Sequence, residues 1–249
     1  MNECKTILGF PIFNGSREAL RAELERRAGQ VSGPLCLFYA NSNLLQLCHG
    51  EAARFSEPGI LIANDGVALN LAARLLTGTP FAANLNGTDF TPYLVRTSPI
   101  FRRVFLLGGQ SGVAAGAAAT LAASGVEVVG HADGYGDMTD EAALLARING
   151  ARPDVLLLAL GNPRQEQWLL AHRDVLDVKL LVGVGALLDF LSGRVPRAPR
   201  WVQQLRCEWL YRLLGEPRRL LRRYTLEMGR FFWLCPVSYT HLRAHETDS

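Results

Sequence analysis

Several signals are missing from this 249-residue chain, and each absence removes a class of protein. No stretch of about 18 apolar residues runs without a charge, so no membrane-spanning helix is expected. The N-terminus has no basic segment leading into an apolar one, so no secretory signal is expected. The five cysteines, Cys4, Cys36, Cys48, Cys207 and Cys235, form neither CxxC nor CxxH. They read as reduced structural thiols of a cytosolic protein rather than as a disulfide framework or a zinc site. The five histidines show no ligand spacing, and His49, His131 and His172 read as surface or capping groups. HExxH and DxD are both absent, so no metal is expected, including one that holds a nucleotide diphosphate through a DxD pair. GxGxxG is absent too, which takes away the usual dinucleotide fingerprint. No cofactor is expected.

What is present begins with arginine. From Arg194 to Arg230 there are ten arginines, no lysine and three glutamates (Glu208, Glu216, Glu227), whereas the whole chain carries a net charge of only +3. Positive charge is therefore concentrated near one end, and the remainder is slightly acidic. Arginine in place of lysine suits bidentate contacts to phosphate. The same stretch holds Trp201, Trp209, Tyr211, Phe231, Phe232 and Trp233, side chains that suit a lipid interface. A partner with a diphosphate and an apolar tail would satisfy both features. An ordinary solvated face is the plain alternative, although three glutamates are few partners for ten arginines.

The apolar content of 49% against 20% charged residues excludes wholesale disorder. Short apolar runs predict strands at Leu35–Tyr39, Ile60–Ala63, Val104–Leu107, Val126–Val129, Val155–Leu160 and Leu180–Val184. Helical patterns lie between them at Glu18–Ala28, Leu44–Arg54, Ala68–Leu76, Phe90–Arg96, Val113–Ala123, Asp140–Ile148 and Arg164–His172. The alternation predicts an α/β fold, a Rossmann-like and mostly parallel sheet with helices on both faces. After Pro199 the strand signals stop, and two helices are predicted, Trp201–Leu214 and Pro217–Leu234. The expected organisation is a catalytic α/β domain over 1–195 and an Arg-rich helical appendage over 196–235. Residues 236–249 are expected to be a non-native tail. Their run Ser238 to Thr247 resembles translated sequencing-adapter read-through and carries no functional argument.

Several strand ends run into Gly, Asn or Asp, where open α/β sheets bind ligands. Asp65, between Asn64 and Gly66, is placed to act as a general base on a hydroxyl, or simply to turn or cap the chain. Gly108-Gly109-Gln110-Ser111-Gly112 follows a strand and opens a helix; it suits a phosphate, or a turn that needs glycine for steric reasons. In Gly161-Asn162-Pro163-Arg164-Gln165-Glu166, Gln165 offers donor and acceptor groups to a sugar or nucleotide hydroxyl. Glu166 is open to the plainer reading that it complements the helix dipole. Asp133, about twenty residues past the glycines, imitates a ribose-binding acid but falls in a loop-like segment.

Taken in order, these elements resemble the WecG/TagA/CpsF family of bacterial glycosyltransferases. The matching residues are Asn64-Asp65-Gly66, Asn86-Gly87-Thr88-Asp89-Phe90, Gly108-Gly109, Gly134-Tyr135, Gly161 to Glu166, and Gly183-Val184-Gly185 with Asp189. Arg197-Ala198-Pro199, Glu208 to Leu213 and Glu216-Pro217-Arg218 complete the set, and the resemblance runs from Leu8 to Leu234. It implies metal-independent, inverting transfer of a sugar from a UDP-sugar donor to an undecaprenyl-diphosphate-linked sugar acceptor. The donor sugar would be of the N-acetylmannosamine, N-acetylmannosaminuronate or glucose type, for a cell-envelope or exopolysaccharide. By motif, Asp65 would be the base, with Asn41, Asn64, Gln165, Gly108 and Gly109 on substrate. Arg197, Arg212, Arg218, Arg219, Arg222 and Arg223 would hold the diphosphate. Tyr39 stands where the family commonly has threonine, and Asn84 near a common arginine; both departures bear on which sugar is used.

The resemblance also implies a peripheral protein on the cytoplasmic face of the inner membrane, with an anionic membrane surface as partner. Nucleic acid is not an expected partner, and a homo-oligomer is admitted. Two other classes compete with this reading. A nicotinamide-dependent oxidoreductase would need the fingerprint this chain lacks. A non-catalytic basic protein binding membrane or nucleic acid would leave Asn64-Asp65-Gly66 and the Gly161 to Glu166 element without a task.

Overall fold

The computed structural model describes residues 4–199, 202, 210, 211, 213 and 228–235. The α/β expectation holds. Strands β1 (Cys4–Ile7), β2 (Phe10–Phe13), β3 (Leu35–Ala40), β4 (Ile60–Asn64), β5 (Arg103–Gly108), β6 (Glu127–Ala132), β7 (Val155–Ala159) and β8 (Leu180–Gly183) form one sheet. Their spatial order is β1-β2-β4-β3-β8-β7-β5-β6. Every pairing is parallel except that of β1 with β2.

The helices are α1 (Arg17–Ala28), α2 (Ser42–Leu47), α3 (Val67–Thr77), α4 (Gly87–Thr97), α5 (Val113–Ala123), α6 (Glu141–Ala151), α7 (Arg164–His172) and α8 (Leu187–Leu191). Side-chain alternation along each strand divides them into two layers. Leu35, Leu37 and Tyr39 of β3 pack with Leu20 of α1, Leu94 of α4, Ala117 of α5 and Leu188 of α8. Cys36, Phe38 and Ala40 pack on the other face with Leu44 of α2, Ala72 of α3, Ile148 of α6 and Leu169 of α7. Because β3, β4, β7 and β8 are covered on both sides, all their residues are buried. That is why they appear in the sequence as continuous apolar runs.

Three elements differ from the sequence-based expectation. The antiparallel hairpin β1–β2 carries no predictive signal because its turn is Leu8-Gly9, with φ of 51° and 83°. Two positive φ values are the mark of a type I′ turn, which normally announces itself with Asn-Gly or Asp-Gly. The helix expected over Leu44–Arg54 stops at Leu47 and continues as two 3-10 turns, His49–Glu51 and Arg54–Ser56. The short helix α8 follows β8 directly and was not anticipated.

Of the predicted C-terminal helices, most of Trp201–Leu214 and the first part of Pro217–Leu234 lie outside the described residues. Residues 228–235 are helical. They belong to the body of the protein, since Phe231 is fully buried and Cys235 nearly so in the same cluster as Leu69 and Ala72 of α3. Among the described residues, no helix is long and apolar enough to cross a membrane.

Candidate active site

A cleft of about 530 Å³ opens at the carboxyl ends of the strands. This is where parallel sheets present loops and helix starts to a ligand. Tyr39, Asn41 and Asn43 reach it from the end of β3, Asp65 from β4, and Gly109 and Gln110 from β5. The loop after β7 contributes Gly161, Asn162, Arg164 and Gln165, and the turn after β8 contributes Gly185 and Ala186. Gly87 and Thr88 at the start of α4, Tyr135 after β6, and Asp189 and Arg194 at and beyond α8 complete the rim.

Backbone hydrogen bonds fix Asp65 from two sides. Its N–H donates to the Ala40 carbonyl at 2.7 Å, tying it to the end of β3. The neighbouring Asn64 carbonyl accepts from Leu85 N–H at 3.1 Å, and Gly66 N–H donates to Asn84 Oδ1 at 3.3 Å. Gly66 has φ of 103°, a conformation that glycine adopts without strain, and α3 begins at the next residue. The partly buried carboxylate is thereby placed in the cleft. Close by, the buried Tyr39 hydroxyl shares a 2.8 Å hydrogen bond with Thr91 Oγ1. Burial pushes its phenol pKa up, and the Asp65 charge adds to that rise although the Thr91 bond opposes it. A Cβ on Gly87 would stand 2.7 Å from the Tyr39 ring, so this glycine is needed for packing.

A row of amides crosses the floor of the cleft. Asn41 caps α2, its Oδ1 accepting from Leu44 N–H at 3.0 Å. Asn41 Nδ2 lies 3.5 Å from Asn162 Oδ1, at the limit of a hydrogen bond. Asn162 Nδ2 and Gln165 Nε2 both donate to Glu166 Oε1, each at 2.7 Å. Gln165 Oε1 accepts from Gly185 N–H at 3.0 Å, which links the row to β8. The Asn162–Pro163 peptide is cis. Glu166 is fully buried, and desolvation raises its carboxyl pKa although both amide bonds oppose the rise. Glu166 also lies in the first turn of α7, where its own backbone N–H favours the charged form, so its place at the helix dipole stands beside its bonds to the two amides.

The structure brings Asp65, Asn41, Gln165 and Gly109 to the cleft. It does not bring the Asn64 side chain there: Asn64 is fully buried, and its Nδ2 and Oδ1 have no hydrogen-bond partner among the described residues. Gly108 sits behind the lining, where a Cβ would collide with the Ala159 carbonyl. Gly109 donates its N–H to that same carbonyl at 3.0 Å, so this amide is already engaged rather than held open for a phosphate. Asp133 Oδ1 accepts from Tyr135 N–H at 2.8 Å and Asp137 N–H at 3.3 Å, which makes it a loop-forming residue.

Arg197 pairs with Asp89 of α4 at 2.6 Å, which anchors the segment after α8 beside the start of α4. Arg212, Arg218, Arg219, Arg222 and Arg223 lie outside the described residues. Sequence reasoning passed over Arg164 and Arg194, which line the cleft, the latter bonded to Gln110 Oε1. It also passed over Asn43. Arg164 lies within the Gly161 to Glu166 motif and Arg194 opens the arginine-rich stretch, but neither is given a role of its own there; Asn43 lies in no motif, and turns at the ends of β3, β7 and α8 place all three.

The family model described as glycosyl transferase WecG/TagA/CpsF family matches residues 5–245. Among curated proteins, the chain is similar to one from Bacillus spizizenii named N-acetylglucosaminyldiphosphoundecaprenol N-acetyl-beta-D-mannosaminyltransferase. The two are 32% identical over 164 residues, a stretch that covers 65% of this chain and 63% of the relative. The match therefore spans less than two thirds of that relative's length.

Proposed function

This chain belongs to the WecG/TagA/CpsF family of glycosyl transferases, and from that premise we propose that it moves a sugar from a UDP-sugar to an undecaprenyl-diphosphate-linked sugar. The donor sugar is N-acetylmannosamine or a related hexose, and the acceptor end is N-acetylglucosamine, as in the name of the Bacillus relative. The observation that carries this reading is the cleft itself, in which the carboxylates of Asp65 and Asp189 stand among amide side chains suited to sugar hydroxyls, Asp65 being the one held at the end of β4.

The reaction is a direct displacement with inversion. Asp65 takes the proton of the attacking acceptor hydroxyl as its oxygen bonds to the anomeric carbon. The bond from that carbon to the UDP oxygen breaks, and UDP leaves with the electron pair. Guanidinium groups neutralise the charge that develops on it, so that no metal is required. Arg164 and Arg194, which line the cleft, support this part of the proposal. Arg212, Arg218, Arg219, Arg222 and Arg223 of the C-terminal segment are proposed to add to this charge, and Arg197, paired with Asp89, would join them by giving up that pair.

An acceptor with a polyprenyl tail implies a membrane surface, and the proposal takes this to be the cytoplasmic face, with anionic lipid as its partner. The exposed apolar stripe Val67, Leu71 and Leu75 supports this, since it runs along α3 from the rim beside Asp65, and Trp233 is exposed as well. Purified protein supplied with a panel of UDP-hexoses and UDP-N-acetylhexosamines, together with lipid-diphosphate-GlcNAc and lipid-diphosphate-Glc acceptors, tests the reading. A lipid-linked disaccharide from one pair supports it; hydride transfer to a nicotinamide, or no product from any pair, refutes it.

A further inference from the structure

The row of amides has a polarity, and one residue sets it. We propose that Glu166 is a positioning residue that orients Asn162 and Gln165 by accepting from both, and so decides which amide atoms meet the donor sugar. The proposal rests on the glycosyltransferase reading above.

The argument begins with what Glu166 Oε1 can do. Whether the carboxyl is ionised or carries its proton on Oε2, Oε1 is an acceptor. Both partners must therefore turn their NH2 groups toward it. Their carbonyl oxygens then point the other way, Asn162 Oδ1 toward Asn41 and Gln165 Oε1 toward Gly185 N–H. The ends of β3, β7 and β8 are thus joined in one sense. One amide hydrogen on Gln165 Nε2 and one lone pair on its Oε1 remain for a ligand in the cleft.

An amide whose terminal torsion turns by a half circle keeps its shape but exchanges donor for acceptor. A sugar hydroxyl matched to one setting is mismatched to the other, and such a mismatch in a closed site discriminates strongly. Glu166 Oε2 has no partner among the described residues, and burying a carboxyl in that way is unfavourable. An apolar side chain would fill the position at lower cost to folding. An acid at this position fits a task in ordering the amides better than a contribution to stability.

The test compares Glu166→Gln, Glu166→Leu and the unaltered chain, each at full length. Gln at 166 keeps an acceptor oxygen in place of Oε1, and turnover is expected to stay within about tenfold of the unaltered enzyme. Leu at 166 removes the acceptor, and kcat/KM is expected to fall by about 100-fold or more. The preference between the C2 epimers UDP-N-acetylmannosamine and UDP-N-acetylglucosamine should narrow at the same time. Loss of packing alone lowers both donors equally. A crystal structure of the Glu166→Leu protein should show the Asn162 or Gln165 amide turned from its present partners. An unchanged donor ratio, a Gln variant as damaged as the Leu variant, or unmoved amides would overturn the proposal. If the unaltered enzyme transfers no sugar from any donor, the functional reading fails while the crystallographic comparison still decides the role of Glu166.

Discussion

At the scale of single residues, position in the cleft is decided by contacts between distant parts of the chain. Asp65 was legible in the sequence because a carboxylate between Asn and Gly at a strand end is a recognisable signal. The amide row was not, since Asn41 meets Asn162 across 121 positions and no local pattern encodes that pairing. Asn64 misled for a related reason: it ends β4, but alternation along the strand turns its side chain into the interior. Replacing Asn41 with Ala should remove the acceptor for Leu44 N–H and lower stability by about 1 kcal/mol. A thermal melt checks this, and an unchanged melting temperature would mean that the cap contributes nothing.

Glu166 gives a pH dependence with a definite sign. Burial raises its folded pKa above the ordinary 4.5, and its charge in turn adds to the rise of the Cys48 thiol, which is due chiefly to burial. Above pH 4.5 the unfolded chain gives up this proton before the folded protein does. The stability associated with the raised pKa is therefore complete below about 4.5 and is lost as pH rises through the folded value. The melting temperature of the unaltered protein should fall relative to that of Glu166→Gln across that interval. Parallel curves for the two proteins would contradict the assignment.

At the scale of elements, the central strands were readable because both faces are buried, which leaves unbroken apolar runs. The hairpin at the N-terminus was not, because Leu8 occupies a backbone conformation that leucine seldom takes. Glycines divide along the same line. Gly108 has φ of 125° and no room for a methyl group against the Ala159 carbonyl, so Gly108→Ala should leave little folded protein. Gly150, in the last turn of α6, has open space around its Cα, and Gly150→Ala should stabilise by about 0.5 kcal/mol. Chemical denaturation of the two variants reads both effects. The phosphate-cradle reading of Gly108-Gly109 does not explain this difference, whereas the steric one does.

For the whole molecule, the C-terminal region has two roles to separate. Its last described helix, residues 228–235, completes the core through Phe231, and Phe231→Ala should cost about 3 kcal/mol. A chain cut at Arg197 would therefore lose folding stability along with its arginines, and its inactivity would say little about catalysis. Replacing Arg218, Arg219, Arg222 and Arg223 together keeps that helix and is the cleaner change. It should weaken binding to anionic vesicles while leaving the melting temperature within a few degrees. Binding that survives both the replacement and high salt would set aside the electrostatic part of the membrane proposal. The concentration of ten arginines in this region was visible in the sequence, but the burial of Phe231 was not, because an aromatic run reads equally well as interface or core.

The most direct test of the account is the rate of lipid-linked disaccharide formation by Asp65→Asn beside that of the unaltered enzyme, measured with the productive UDP-sugar at saturating acceptor. Loss of the base should lower kcat by about 10²–10⁴ while the melting temperature holds. A variant that turns over at close to the normal rate would show that Asp65 is not the base, and the mechanism built on it would fall.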